Sequence, residues 1–550
     1  MLFSTEEGKQ ADRTRRSKTR PYRRTVAAST AAIATLLPIP YVAAQSLGRA
    51  GRQVERAPLA AGMVLVRRAL AWTFVGQLLS FAATFGTTVA LARILSPREI
   101  GIYAVGLAVS GVLQALSAFG IATFVVRERE LTPRVLETAF TVNAIVSALL
   151  ALILFACSFL GQVTTGEPMV ASVLRLLAIV PLLGAVEFRP GTMLQREMEF
   201  RTISIVTVAR TVAIAVVSIA AALMGASALS SAYGAIAGGV VGALGFSLAA
   251  RHHTGFRLRL EGWRAMSAFG FKTLAIGGIA VLVARASDLI LGAILGLTLL
   301  GFYNRANALA GVAIANVYAA IARVLFVKLA DDDRAGRDVG ASYARSLDMI
   351  LALMWPLLAG AAVLAGPIVA VLFGQRWLPM AAPFAVIAIA QGVGLAYAMN
   401  YELYVLRDEV GRQTRLESIR ALAALVAFVA GCSFGIVGAS FGRLADTVVG
   451  GLLYLPELLR LTSLRRARLL ALYGRNAAVT AASVLPSLLV MLVSRWSPDV
   501  SRGVLAFCIV AGGAGWLASL RLLRHPLWDE LLNQAEALLA RRRRHREARP

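Results

Sequence analysis

The stretch LARILSPREIGIYAVGLAVSGV at residues 91–112 is followed, 200 positions later, by LGAILGLTLLGFYNRANALAGV at residues 291–312. The two segments align without gaps and share eight of 22 residues, among them Gly101 and Gly301. Shared composition would give about two or three identities in a chain this rich in leucine, alanine and glycine. The pattern therefore favours an internal duplication.

The composition indicates whether the chain folds in water or in a lipid membrane. Of 550 residues, 58% are hydrophobic and only 16% are charged, and the mean hydropathy is +0.70. So few charged residues cannot cover the surface of a water-soluble protein of this size. The sequence therefore predicts an all-α polytopic membrane protein.

Apolar runs of about 20 residues, the length needed to cross about 30 Å of hydrocarbon, recur along the chain. They lack the short alternating pattern of a membrane β-barrel. We predict about fourteen transmembrane helices near residues 69–91, 101–124, 138–160, 169–187, 203–224, 228–250, 273–296, 302–325, 349–373, 381–405, 418–435, 437–459, 476–494 and 502–521.

The loops between these spans differ in charge. One alternate set contains 25 arginine and lysine residues and the other contains six, so the positive-inside rule places the first set, and both termini, in the cytoplasm. The repeat copies join spans one and two and spans seven and eight, so six helices separate them. An even number restores the direction of the chain, which predicts two parallel six-helix lobes.

The predicted domains follow from this arrangement. Residues 63–250 form an N-terminal lobe with spans one to six, and residues 251–460 form a C-terminal lobe with spans seven to twelve. Residues 461–522 add spans thirteen and fourteen. Residues 1–62 are a basic tail that is expected to be disordered, or result from a start codon assigned too early, with Met63 as the natural beginning.

The C-terminal residues 523–550 form a basic amphipathic cytoplasmic tail. Trp528, Leu531, Leu532, Leu538 and Leu539 recur at helical spacing before an arginine-rich end. The pattern predicts an interfacial helix on anionic lipids of the inner leaflet, where each cation near the surface contributes about 1 kcal/mol. The net charge of +26 is assigned to the membrane surface and not to nucleic acid.

Ionisable residues within the predicted spans are the candidate functional residues, because each costs about 2.5–3.5 kcal/mol at a helix centre. Arg285 and Asp288 lie in span seven, and Arg443 and Asp446 lie in span twelve. Spacing i, i+3 places the members of each pair on one helix face, where their charges can neutralise each other. Asp288 and Asp446 are alternatively sites for a coupling ion, H⁺ or Na⁺.

The first lobe adds Arg175 and Arg210 to this set. Arginines that snorkel to the headgroups, or that form structural ion pairs, are the alternative interpretation, and it applies most readily to these two because both lie near a predicted span end. Arg285 is too central to snorkel easily and favours a hydrated cavity between the lobes. Guanidinium groups there suit a substrate that carries phosphate.

Signals of an enzyme or a metal site are weak. Asp331–Asp333 stand among arginines and are interpreted as a solvated, helix-capping cluster. His252 and His253 cannot share a helix face, and the three cysteines lie in apolar runs. No phosphate loop or nucleophile elbow is present in the sequence. We therefore expect no catalytic residue, metal or cofactor.

Three stretches together resemble bacterial polysaccharide exporters, the O-antigen and exopolysaccharide flippases of the multidrug/oligosaccharidyl-lipid/polysaccharide superfamily. They are residues 91–127, residues 287–309 (SDLILGAILGLTLLGFYNRANAL) and residues 324–384. The resemblance covers roughly residues 63–520. Similar proteins often carry an Arg-Asn-x-Asp-type stretch in span seven, which corresponds to Arg285 and Asp288 with Ala and Ser between them.

The resemblance implies two six-helix lobes around a central cavity and transport of undecaprenyl-pyrophosphate-linked oligosaccharide across the bacterial inner membrane by alternating access. Together with the charged residues of the predicted spans, the resemblance favours a mechanism in which Arg285, helped by Arg210 and Arg443, binds the pyrophosphate; Arg443 enters from its position in span twelve and not from the resemblance. The implied partners are the lipid-linked oligosaccharide, a polysaccharide polymerase and glycosyltransferases. Two alternatives stay open: a multidrug or lipid II exporter of the same fold, and a membrane glycosyltransferase or polymerase.

Overall fold

The computed structural model describes residues 59–117, 121–128, 131–255, 257–264, 266–267, 285–533 and 536. In these ranges the chain forms helices joined by short connections, and no strand is present. The predicted tail from residue 1 to 58 and the arginine-rich end beyond 536 lie outside the described residues. The first helix begins at Leu59, four residues before Met63.

The helices before residue 256 are α1 (Leu59–Ile94), α2 (Pro97–Ser117), α3 (Ile121–Arg127), α4 (Pro133–Thr165), α5 (Pro168–Leu177), α6 (Ile179–Arg196), α7 (Phe200–Leu223) and α8 (Leu229–Ala249). They are followed by α9, residues 285–295. The remaining helices are α10 (Leu297–Ala313), α11 (Ala319–Arg334), α12 (Val339–Val363), α13 (Ala365–Leu372), α14 (Ala381–Gly394), α15 (Asn400–Leu406), α16 (Val410–Cys432), α17 (Gly435–Thr462), α18 (Arg466–Val493) and α19 (Arg502–Leu522). A last helix, α20, covers residues 526–533.

Eleven helices in the described ranges are long and apolar enough to cross a membrane. They coincide with eleven of the fourteen predicted spans. The predicted span 101–124 is represented by α2 and α3, and only the end of the span 273–296 is described, as α9. The predicted span 418–435 corresponds to α16, whose first half is polar. The all-helical membrane fold is confirmed, and the count of fourteen stays a prediction.

The chain divides into two compact units. The first takes the described residues up to Thr88 and from Gly106 to Arg285, and the second takes Val89–Val105 and the described residues from Ala286 onward. The division after Arg285 falls 35 residues beyond the predicted lobe boundary at 250. The segment Val89–Val105 groups with the second unit, so the first copy of the repeat is shared between the units.

The two copies of the repeat have the same local structure. In each copy one helix ends and the next begins at the equivalent position. The new helix is α2 from Pro97 in the first copy and α10 from Leu297, 200 residues later, in the second. Within the second unit the two new helices meet at their glycines: a Cβ on Gly101 would overlap the carbonyl oxygen of Leu297, and a Cβ on Gly301 would overlap that of Pro97. This reciprocal contact is the close backbone approach that small residues permit between membrane helices.

The start of the C-terminal tail is held by the second unit. His525 is fully buried, and its Nε2 lies 3.1 Å from Oδ1 of Asp348. Trp528 and Leu531 pack against a buried cluster that includes Leu520. Trp528 and Leu531 are thus partly covered by protein, and the prediction that this segment lies on the bilayer surface stays a prediction.

Candidate functional site

Arg210 forms the central ion pair of the first unit. Its Nη1 donates to Oε2 of Glu187 at 2.8 Å. Arg210 lies ten residues into α7, about 15 Å from its start, and Glu187 lies nine residues, about 14 Å, before the end of α6 at Arg196. The pair is thus near the middle of a 30 Å hydrocarbon layer. Arg210 is deeper than predicted, because α7 begins three residues before the predicted span.

The small residues of α8 make this pair possible. α8 packs against both α6 and α7. A Cβ at Gly242 would overlap Oε1 of Glu187, and a Cβ at Gly238 would lie 3.5 Å from Cγ of Arg210. A side chain at Gly242 would push the carboxylate of Glu187 out of its place, whereas one at Gly238 would overlap Ile214 and only touch Arg210. Gly242 therefore creates the space that the carboxylate occupies.

The two members of the pair differ in how far other residues of the chain cover them. The side chain of Glu187 is 13% exposed, whereas that of Arg210 is 36% exposed. Oε1 of Glu187 is buried and has no hydrogen-bond partner in the part of the chain that the structure describes. A half-exposed guanidinium at this depth can accept a second anion, since it has five donors and Glu187 engages one nitrogen.

Arg285 is the last residue of the first unit. It lies in α9, ten residues before the helix ends at 295, which corresponds to about 15 Å. Its side chain is half-buried and crosses Gly111 of α2, where a Cβ would lie 2.6 Å from Nε and 3.2 Å from Cζ. Gly111 is one of the residues conserved between the two repeat copies. The described part of α9 begins at Arg285, so both its predicted central position in span seven and its role as a site stay predictions.

In the second unit Asp446 pairs with Arg420 and not with Arg443. Nη1 of Arg420 donates to Oδ1 of Asp446 at 2.5 Å, from α16 to α17. The predicted neutralisation of Asp446 by Arg443 is therefore wrong, because the helix that packs on α17 offers a nearer cation. Arg443 is half-buried on the same helix, and Asp288 is half-buried in α9.

Arg420 also holds a second carboxylate. Its Nη2 donates to Oε1 of Glu417 at 2.5 Å, and the hydroxyl of Tyr454 donates to Oε2 of the same Glu417 at 2.7 Å. The side chains of Arg420 and Asp446 are 24% and 9% exposed. The cluster thus has two carboxylates and one guanidinium and is buried enough for these bonds to be only weakly screened.

The other residues singled out from the sequence have structural contacts. Cζ of Arg175 lies 5.4 Å from the ring centre of Phe159, and its Nε lies 3.4 Å from Ser158 Oγ. Nε2 of His253 lies 2.7 Å from Oε1 of Glu197. Neither contact indicates a substrate or metal site.

The acidic run Asp331–Asp333 also has a structural role. Asp332 is only 7% exposed, and it accepts hydrogen bonds from Nε of Arg337 at 2.7 Å and from the hydroxyl of Ser342. The prediction of a solvated cluster is wrong for Asp332, because the connection between α11 and α12 folds back over it. Across the part of the chain that the structure describes, no group of three or more His, Cys, Asp or Glu residues is placed to hold a metal ion.

Sequence reasoning missed Glu187 and Arg420. Glu187 is the last residue of the predicted span 169–187, and Arg420 lies at the start of the predicted span 418–435. The available signal was the glycine pattern in YGAIAGGVVGALG at residues 233–245, which indicates a helix face that is closely approached by its neighbours. A charged residue in one of those neighbours is then a candidate for burial.

An all-helical membrane chain with an internal repeat and arginines at mid-depth can be compared with known families. A family model described as "Polysaccharide biosynthesis protein" matches residues 90–382, more than half of the chain. The chain belongs to this family of polysaccharide biosynthesis proteins. The resemblance to polysaccharide exporters that the sequence indicated is confirmed at this level, and the protein is a multi-pass inner-membrane protein.

Curated relatives in this family are distant. The succinoglycan biosynthesis transport protein ExoT of Rhizobium meliloti is 26% identical over 333 residues, which cover 60% of this chain and 66% of the relative. The match thus spans just under two thirds of ExoT. The lipopolysaccharide biosynthesis protein WzxC of Escherichia coli is 24% identical over 393 residues, which cover 70% of this chain and 78% of the relative.

Solved structures support the same fold. The lipid II flippase MurJ in an inward closed conformation superposes with a TM-score of 0.67 at 11% identity and covers 83% of this chain and 99% of that chain. An inward-facing multidrug transporter of the MATE family and MOP superfamily gives a TM-score of 0.54 at 14% identity, with 70% and 96% covered. At such low identity these similarities establish the fold alone.

Proposed function

We propose that this polysaccharide biosynthesis protein moves an undecaprenyl-pyrophosphate-linked oligosaccharide from the inner to the outer leaflet of the bacterial inner membrane. The names of ExoT, a transport protein, and of MurJ, a flippase, support transport over catalysis. The glycosyltransferases and the polymerase of one polysaccharide pathway are the expected partners. We further propose that both termini lie in the cytoplasm, as the arginine count of the loops predicts.

The observation that carries the proposal is a half-exposed arginine near the middle of a helix long enough to cross the membrane. Arg210 is 36% exposed about 15 Å from the start of α7, where an isolated charge costs about 2.5–3.5 kcal/mol. A side chain is kept in such a place at a cost in stability, which is typical of residues that line a substrate path. Guanidinium binds phosphate oxygens by two parallel charge-assisted hydrogen bonds.

In the proposed cycle Arg210 and Arg285, with Arg443 as a further cation, attract the pyrophosphate while the lipid tail stays in the bilayer. Alternating access then exposes the sugar head on the other side. The driving ion, H⁺ or Na⁺, is proposed to act at Asp288 or Asp446. Asp446 and Glu417 together carry two negative charges against the single positive charge of Arg420, which favours a cation or a proton at this cluster.

The test is export of surface polysaccharide in cells that depend on this protein. Losing a charge-assisted hydrogen bond costs about 1.5–3 kcal/mol, so Arg210→Ala and Arg285→Ala are each expected to lower export about ten- to hundredfold. Arg→Lys at either position should retain part of the activity, because the charge remains but the planar fork is lost.

The matched control is Arg323→Ala. Arg323 is an exposed arginine of α11, and its Nε donates to the carbonyl oxygen of Ala319 one turn earlier at 3.0 Å. Its replacement should leave export within about twofold, since surface substitutions change stability by about 0.5 kcal/mol or less. Normal export by both Arg210→Ala and Arg285→Ala, at wild-type protein levels, would exclude the proposed site.

A membrane glycosyltransferase would need its acidic residues for chemistry. Asp331 is the position to substitute, because the change should not disturb the fold. Its side chain is 54% exposed and pairs only with Arg334, at 3.0 Å, in the described part of the chain. Asp331→Asn should leave polysaccharide export unchanged in a transporter. Loss of a sugar-transfer activity in this variant would favour the enzyme instead.

A further inference from the structure

The two carboxylate oxygens of Glu187 differ in their hydrogen bonds. Oε2 accepts from Nη1 of Arg210 at 2.8 Å, whereas Oε1 is buried and has no hydrogen-bond partner among the described residues. A buried polar atom without a partner is rare in folded proteins and requires an explanation. The glycine at position 242 faces this atom, so the residue opposite Oε1 has no side chain that could donate to it.

Arg210 is the only opposite charge that contacts Glu187 in the described ranges. Six elements pack against α6: α3, α4, α5, α7, α8 and the turn Arg251–His253. Of their other described charged groups, Arg134 pairs with Glu261. Arg251 and His252 form no ion pair with Glu187 in the described part of the chain, and four more groups contact other residues. The contacts are Arg175 with Phe159, Glu137 with Arg259, His253 with Glu197, and Arg201 with Trp72. In α8 the only titratable residue is Tyr233, nine residues before Gly242.

The ionised form of Glu187 is therefore stabilised by a single ion pair, the one with Arg210. While Arg210 is bound, the carboxylate has a counter-charge. When another anion takes Arg210, the carboxylate is left at mid-membrane depth next to a second negative group. Both burial and the like charge then favour its neutral form.

We propose that Glu187 occupies Arg210 in place of the substrate phosphate and that it takes up a proton when the phosphate displaces it. This inference rests on the proposed function, because it assumes that Arg210 binds the substrate. In the exchange the hydrogen bond from Arg210 Nη1 to Glu187 Oε2 breaks, and bonds from the guanidinium to phosphate oxygens form. The carboxylate gains one proton from water and becomes a carboxylic acid, and release of the substrate reverses both changes.

The exchange also explains why the site can release its ligand. A guanidinium without a resident anion would hold a pyrophosphate tightly in every state. Glu187 competes with the phosphate for the same donor, which weakens binding in whichever state brings the carboxylate back. Moderate binding of this kind is a requirement for transport, because a ligand held equally in all states shifts no equilibrium.

The test is a count of protons taken up on binding. The full chain is placed in nanodiscs of zwitterionic phosphatidylcholine, so that anionic headgroups do not compete, and is titrated with undecaprenyl pyrophosphate at pH 7. Calorimetry in buffers of different ionisation enthalpy gives the number of protons bound per ligand. The wild type is expected to take up about one proton more than Glu187→Gln, and Glu187→Gln should bind the ligand about tenfold or more tightly because the internal competitor is gone.

Glu197→Gln is the matched control. Glu197 lies ten residues further along the chain and its side chain is 44% exposed beside His253, so this variant should match the wild type in both proton uptake and affinity. Protonation of the ligand itself is the same for all three proteins and cancels in the comparison.

The outcomes separate the two proposals. If the folded wild type does not bind undecaprenyl pyrophosphate, the proposed function fails. If it binds the ligand but takes up no more protons than Glu187→Gln, the counter-ion exchange is refuted while the transport function stands. Should Glu187→Gln not fold, infrared difference spectra of the wild type decide: ligand binding must produce the carbonyl stretch of a protonated carboxylic acid, and its absence overturns the inference.

Discussion

The ion pair between Arg420 and Asp446 predicts that Asp446→Asn lowers the stability of the wild type but raises the stability of the Arg420→Met variant. The perturbations are Arg420→Met and Asp446→Asn, singly and together. In the wild type Arg420 bonds both Asp446 and Glu417 at 2.5 Å, and the Asp446 side chain is 9% exposed. Arg420→Met therefore leaves two carboxylates without their shared cation.

The magnitudes follow from the burial of the pair. Removing one partner of a buried ion pair destabilises a protein by about 3–5 kcal/mol, so Arg420→Met belongs at the upper end of that range. Asp446→Asn leaves Arg420 paired with Glu417 and should cost about 1.5–3 kcal/mol, the value of a hydrogen bond to a charged group. In the Arg420→Met background the same Asn removes an uncompensated buried charge, so it should raise stability.

The assay is thermal unfolding of the four purified proteins in one detergent. The expected order of melting temperature is wild type, then Asp446→Asn, then the double variant, then Arg420→Met. Arg443→Met supplies the control, because Arg443 shares the i, i+3 face with Asp446 but does not pair with it in the structure. Its coupling to Asp446→Asn should be clearly smaller than the coupling between Arg420→Met and Asp446→Asn. The pairing of Arg420 with Asp446 would be refuted if Arg420→Met and Asp446→Asn had additive effects on stability while Arg443→Met and Asp446→Asn were coupled.

Two further predictions concern packing. Gly301→Ala should destabilise the protein by about 1–3 kcal/mol because its Cβ overlaps the carbonyl oxygen of Pro97. Gly311→Ala on the same helix meets no atom within 4 Å and should be neutral or stabilising by up to about 1 kcal/mol; equal melting temperatures for the two variants would contradict the close contact. His525→Ala removes the buried contact with Asp348 and should speed limited proteolysis of the C-terminal tail, and an unchanged cleavage rate would show that the contact does not hold the tail.

The membrane fold and the repeat were accessible from sequence because both depend on local or periodic properties. Apolar runs of about 20 residues specify a bilayer-spanning helix whatever its neighbours are. The repeat was visible at Gly101 and Gly301, which the structure brings into reciprocal contact. The depth of Arg285 is predicted in the same way, by counting residues along one helix, and it stays a prediction because the described part of that helix begins at Arg285.

The partners of the charged residues were decided by tertiary structure. Spacing i, i+3 shows that Arg443 and Asp446 share a face, but it does not show which residue of another helix that face meets. Arg420, 26 residues earlier, takes that position because α16 packs on α17. An ion pair between helices depends on which faces the fold apposes, and no window of sequence contains that information.

The candidate site of the first unit shows the same division. The sequence alone determined that the chain is a duplicated helical membrane protein with arginines at membrane depth. The tertiary structure alone decided that Glu187 bonds Arg210 and that Gly242 gives the carboxylate its space. The physical reason is that hydrophobic burial in lipid acts on each segment separately, whereas a buried charge is stabilised only by a partner within about 3 Å.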